Sequence, residues 1–135
     1  MKKLFTNTIF TQSNLERLST ILKSPQNLSK WVPDINSVSP KDDYFLISRS
    51  SSALNTFEKI SVTSQDNSII YTSTGGRLEY ELHFDLTNKD DRTLVEQTLL
   101  VDETLTKLPL TLLAPIAKHA FHENLSSLER LITIS

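Results

Sequence analysis

The sequence predicts an α+β fold in which an antiparallel sheet of about seven strands curves round one long C-terminal helix, with two short helices after the first strand. Three observations predict it. The segment 77–86 alternates strictly: Leu78, Tyr80, Leu82, Phe84 and Leu86 take one face, Arg77, Glu79, Glu81, His83 and Asp85 the other. Such alternation marks an antiparallel strand with one buried and one wet face. The residues on either side read as further strands punctuated by turn signals. From Leu108 to about Ile132 the apolar period changes from two to 3.6, the signature of a long amphipathic helix. A sheet with a single long helix against it can leave a gap between the layers, and a ligand would sit in that gap.

The elements follow in order. Leu4–Phe10, rich in Thr, Phe and Ile, is the first strand. Ser13-Asn14-Leu15-Glu16 fits a capping box with Ser13 as the cap, and Leu15, Leu18, Ile21 and Leu22 stripe the helix behind it. Ser24-Pro25 starts a second short helix, with proline in the first turn where no N–H is needed. Strands are predicted at 35–39, 43–50, 55–64, 68–74, 77–88 and 92–104. Gly75-Gly76 fits a tight hairpin, since glycine supplies positive φ without steric cost, and Asn88-Lys89-Asp90-Asp91 is the next turn. On a helical wheel the last segment places Ile116, Ala117, Ala120, Phe121, Leu125 and Leu128 in one half and Lys118, His119, His122, Glu123 and Arg130 in the other. Pro115 lies inside this pattern, so the helix is expected to begin near it or to kink there, leaving 108–114 as a movable lid.

Composition narrows the function. The 135 residues are read as one domain, 1–135, large enough for a normal core. Fourteen basic and sixteen acidic residues give a net charge of −2, which argues against nucleic acid as the main partner. The charge is uneven: Lys2, Lys3, Arg17, Lys23 and Lys30 against Glu16 give residues 1–31 a net of +4, leaving −6 for the remainder. There is no cysteine, which excludes disulfides, thiolate metal sites and cysteine nucleophiles and makes the cytoplasm the natural location. No apolar run follows Met1-Lys2-Lys3 as a signal peptide would require, and none approaches a membrane span. With both glycines adjacent, no phosphate-cradling glycine loop is possible.

A pocket should show as polar residues in phase with the core. Asn124 falls within the apolar half of the last helix, either as a satisfied core asparagine or as pocket lining. Glu58 shares a face with Ile60 and Val62, and Arg49 with Phe45 and Ile47. Buried charges need partners, so these two reach water near strand ends, pair with each other, or meet the polar end of a ligand. Gln97 is in phase with Val95 and Leu99, and Tyr80 with Leu78 and Leu82, the sparse polar groups that orient a ligand in an apolar cavity. With Phe84 and Ala120 these residues form the candidate pocket. Trp31 covers either the cavity mouth or the core under the short helices. His119, His122 and Glu123 lie on the polar half of the helix with no third ligand evident, so no metal site is expected. The adjacent acidic pairs Asp42-Asp43, Asp90-Asp91 and Asp102-Glu103 read as solubilising turn residues, and no cofactor is implied.

The segment Asn27-Leu28-Ser29-Lys30-Trp31-Val32-Pro33-Asp34-Ile35 resembles the stretch where proteins of the START-like helix-grip superfamily, also called SRPBCC, leave their second short helix. Leu125-Ser126-Ser127-Leu128-Glu129-Arg130-Leu131 resembles their helix ends, and the element order matches over the whole chain. The resemblance implies a helix-grip fold and a hydrophobic small molecule or lipid held between sheet and helix. It carries over no catalytic residue. Two other roles remain open: a polyketide cyclase or dehydratase-like enzyme, for which Glu58 with Arg49 would be the acid–base candidate, and a protein-interaction module with a filled core.

Overall fold

A computed structural model describes residues 1–134 of the chain. The strand β1 (Lys2–Thr11) is followed by the helices α1 (Leu15–Leu22) and α2 (Leu28–Trp31), the latter entered through a 3₁₀ turn at Pro25–Asn27. Six strands follow: β2 (Ile35–Pro40), β3 (Phe45–Arg49), β4 (Phe57–Gln65), β5 (Ser68–Thr74), β6 (Tyr80–Lys89) and β7 (Arg92–Val101). A 3₁₀ turn at Glu103–Leu105 leads to α3 (Leu110–Ile134). All seven strands form one antiparallel sheet in the order β1-β7-β6-β5-β4-β3-β2. The α+β fold class and the element order are those the sequence predicts.

Register explains why one face of the sheet is a core. Residues directly opposite each other share a face, and the pairs Phe5–Leu99, Leu99–Leu82 and Leu82–Tyr71 form one continuous apolar row. A second row joins Val101, Tyr80, Ser73, Ile60 and Phe45. Against these rows pack Leu18 and Leu22 of α1, Leu28 and Trp31 of α2, and Leu125, Leu128 and Ile132 of α3. Trp31 meets the Phe84 ring edge-on at 6.3 Å, and Phe84 meets Tyr71 at 5.3 Å. Trp31 is therefore a core residue under the short helices.

Several details differ from expectation, each for a local reason. The α1 cap is Asn14, not Ser13: Asn14 Oδ1 accepts from the Arg17 N–H at 2.8 Å. The Ser13 carbonyl is meanwhile held by the hydroxyls of Thr11 and Thr93, which keeps Ser13 with the sheet. The β5–β6 connection is a five-residue loop rather than a tight hairpin, with Gly75 at φ +84. Strand β6 starts at Tyr80 because the Leu78 backbone is occupied by a side chain: Asn55 Nδ2 donates to Leu78 O and Asn55 Oδ1 accepts from Leu78 N, both at 2.9 Å. Two-residue turns do occur at Asp66-Asn67 and Asp90-Asp91, where Asp66 and Asp90 take positive φ.

Helix α3 begins before Pro115 and runs through it. Its two halves are unequal. The second is anchored by buried Leu125, Leu128 and Ile132, whereas in the first Leu112 is 72% exposed and Ile116 69%. The wheel's buried face is thus buried only along half the helix. With Leu105, these side chains give α3 an exposed apolar beginning that the pattern did not suggest. Among the described residues no helix is long and apolar enough to cross a membrane.

Candidate functional site

Where the first half of α3 stands off the sheet, a cavity of about 320 Å³ opens. Leu110, Leu113, Ala117 and Phe121 of α3 form one wall, and Leu4, Tyr80 and Leu99 of the sheet, with Leu78 of the β5–β6 loop, the other. The loop 52–55 and Asp34 make up its end. Such a space is at the lower end of the range for small-molecule sites. A second space of about 20 Å³ lies deeper, lined among others by Trp31, Tyr71, Gln97 and Asn124. Arg49, Tyr80 and Phe121 line both, so these three side chains form the partition between them.

The polar end of the larger cavity is a network centred on Glu58, which is 1% exposed. Glu58 faces inward because β4 alternates Glu58 and Ile60 toward the core. Arg49, at the end of β3, donates to its Oε1 through Nε at 3.0 Å and Nη2 at 2.7 Å. Asn55 and Ser73 each donate to Oε2 at 2.8 Å, and the Tyr80 hydroxyl reaches both oxygens at 3.2 Å. Four residues thus saturate the carboxylate's lone pairs, leaving none free to abstract a proton. The third Arg49 bond, Nη1 to Asp34 Oδ1 at 2.9 Å, extends the network to the partly exposed loop after α2.

Burial holds the Tyr80 phenol well above its usual range, and the Glu58 charge beside it pushes in the same direction. Tyr71 is raised too, by burial first and then by Tyr80, and its hydroxyl donates to Leu22 O. For Arg49 burial works against the charged form, while its ion pairs with Glu58 and Asp34 favour it. The network therefore presents neutral phenols and one guanidinium shared between two carboxylates.

A second polar group lies further along the sheet. Asn7 and Gln97 are direct cross-strand partners. Asn7 Nδ2 donates to Gln97 Oε1 at 3.2 Å and to the carbonyl of Lys118 on α3 at 3.0 Å, so it ties β1 to the helix. Among the described residues Gln97 Nε2 is buried without a partner. Asn124 lines the same small space, and no hydrogen bond involves its side chain among the described residues.

Of the residues singled out from the sequence, Arg49, Glu58, Tyr80 and Ala120 line the large cavity, and Arg49, Tyr80, Gln97 and Asn124 the small one. Arg49 and Glu58 do pair, as one reading of their phase allowed. Ala120 lies at the cavity's exposed rim. Phe84 lines neither space; it is fully buried between Trp31 and Tyr71. Asp34, Asn55, Ser73 and Asn7 were missed. Ser73 and Asn7 carried a signal, since each is in phase with apolar neighbours (Ile69 and Tyr71; Phe5) on its strand. Asp34 and Asn55 lie in loops, where alternation says nothing. His119, His122 and Glu123 are exposed, and among the described residues no three His, Cys, Asp or Glu side chains are grouped to hold a metal.

No protein-family model and no curated protein matches the sequence. Solved structures do match in fold. A START superfamily protein from Mycobacterium smegmatis superposes with a TM-score of 0.78 at 16% identity, covering 97% of this chain and 98% of that one. A conserved protein from Geobacillus kaustophilus gives 0.74 at 19% identity, with 96% and 95% covered. The protein XoxI from Bacillus cereus gives 0.75 at 11% identity, with 97% and 95% covered.

Proposed function

From the START-like helix-grip fold that this chain has, we propose that it binds one small hydrophobic molecule, of lipid or comparable apolar character, in the cavity between the sheet and the first half of α3. The observation that carries this reading is the cavity itself: about 320 Å³ of mostly apolar-walled space with one hydrogen-bonded polar end. A wall of Leu4, Leu78, Leu99, Leu110 and Leu113 favours an apolar guest by the area it removes from water. A filled core does not leave such a space. The saturation of Glu58 speaks against its use as a catalytic base, so the binding reading is preferred to the cyclase or dehydratase one.

The test uses N-phenyl-1-naphthylamine, a neutral dye that brightens in apolar surroundings. Its fluorescence is expected to saturate at one dye per chain and to be abolished by Ala117→Trp, which fills the cavity from the helix wall. Dye binding unchanged in Ala117→Trp would move the site elsewhere. Native mass spectrometry of the purified protein, compared with the denatured chain, would give the mass of any ligand carried through purification.

A further inference from the structure

We propose that Gln97 and Asn124 form the inner anchor of the site, and that its ligand is a small neutral molecule with an apolar body and one carbonyl oxygen that accepts from Gln97 Nε2. This rests on the binding reading above and goes beyond it in naming the ligand's class.

The oxygen and nitrogen of an amide side chain are assigned from their partners. Here the partners decide. The Lys118 carbonyl can only accept, so the Asn7 atom beside it is the nitrogen. That same nitrogen faces Gln97, so the Gln97 atom opposite must be its oxygen. The Gln97 nitrogen is then turned away from Asn7, and among the described residues it has no partner although the residue is fully buried. An unsatisfied buried amide N–H costs about 1–3 kcal/mol, and Gln97 lines a space of about 20 Å³, room for one oxygen atom or one water.

The other groups around that space do not answer it. The Tyr71 hydroxyl donates to Leu22 and the Tyr80 hydroxyl to Glu58, and neither phenol oxygen accepts from Gln97 among the described residues. Arg49 only donates. Asn124 can supply a second N–H, and two amide donors suit the two lone pairs of one carbonyl oxygen. The body of such a ligand would occupy the larger cavity, whose volume is roughly that of ten waters in the liquid, with its oxygen at the boundary with the small space, which Arg49, Tyr80 and Phe121 line from both sides. Charge sets the neutrality. The charged residues lining the two spaces are Asp34, Glu58 and Arg49, two negative against one positive, and the cation is already held by both anions. A ligand carboxylate would be buried without a free counter-charge.

Three probes of one shape test this: 2-acetonaphthalene, 2-ethylnaphthalene and 2-naphthoate, titrated calorimetrically into the wild type, Gln97→Leu, Asn124→Leu and Ala117→Trp, with thermal melts to confirm folding. In the wild type the ketone is expected to bind roughly tenfold tighter than the hydrocarbon, the value of one added hydrogen bond, and the carboxylate weakest. In Gln97→Leu the ketone's advantage should vanish while the hydrocarbon binds as before; Asn124→Leu should reduce it. The Gln97 side-chain NH₂ resonances should shift with the ketone and stay with the hydrocarbon. Equal binding of ketone and hydrocarbon to the wild type, both blocked by Ala117→Trp, would overturn the anchor and leave the cavity reading standing. That result would mean a buried water satisfies Gln97. Tightest binding of the carboxylate would overturn the neutral class. Binding indifferent to Ala117→Trp would overturn both readings. The wild-type comparison needs no variant, so it stands even if Gln97→Leu does not fold.

Discussion

Single residues bear unequal weight here. Glu58 is buried with four partners, one of them charged. Removing Arg49 strands a carboxylate that cannot reach water, and breaking a buried pair from one side typically costs about 3–5 kcal/mol. Arg49→Met should therefore lower stability by about 3 kcal/mol in urea titration, and a loss below about 1 kcal/mol would mean the neutral donors suffice. The two glycines offer a sharper contrast. A Cβ on Gly76 would lie 2.5 Å from Asn55 Cγ, and Asn55 holds both the Leu78 backbone and Glu58, so Gly76→Ala should cost about 2–3 kcal/mol by dislodging that clamp. Gly75 has open space around it but sits at φ +84, so Gly75→Ala should cost only the backbone strain, about 1–2 kcal/mol. Equal effects of the two substitutions would deny the Asn55 clamp its role. At this scale the sequence was legible where a polar residue broke phase inside a strand, as Glu58, Gln97 and Tyr80 do. It was silent on Asn55 and Asp34, because a loop side chain that replaces a backbone partner leaves no periodic trace.

Among the elements, α3 carries the functional contrast. Its second half is fastened by Leu125, Leu128 and Ile132, while its first half spans the cavity with Leu112 and Ile116 in solvent. Few buried contacts mean a low cost of local opening. Amide hydrogen exchange is expected to be faster at 112–120 than at 124–131, and protection of 112–120 should rise on adding the naphthylamine dye. Uniform protection along α3 would argue against any lid. The helix itself was legible from its period, and so was strand β6 from its alternation. The end of each was not. The wheel shows which residues share a face and cannot show that the sheet falls away beneath half of it. Likewise the start of β6 at Tyr80 depends on a side chain 23 positions away taking the Leu78 hydrogen bonds, an event outside any local window.

For the molecule as a whole, order of elements and sheet class followed from local signals because every strand neighbours its sequence successor except β1, which pairs with β7. That one pairing joins the first strand to the last and places Asn7 opposite Gln97. Global stability also has a predictable alkaline limb. Tyr71 and Tyr80 are both held neutral above the ordinary phenol value of 10.0, so above that value the unfolded chain loses protons the folded one keeps. Their contribution is fully present below pH 10 and declines as pH rises beyond it. Urea midpoints should thus fall above about pH 10, and Tyr71→Phe should flatten part of that fall; a midpoint independent of pH up to 11 would contradict the burial of these phenols.

The bond from Arg49 to Asp34 makes the two jambs of the cavity's doorway unlike. On the α2 side, Asp34 is bolted through Arg49 to a carboxylate in the core, so that jamb cannot swing without breaking an ion pair. On the α3 side no ion pair fastens the helix to the sheet among the described residues, only the Asn7–Lys118 hydrogen bond beside leucines and an isoleucine facing water. A guest would come and go past the greasy hinge, and its traffic should be nearly blind to salt.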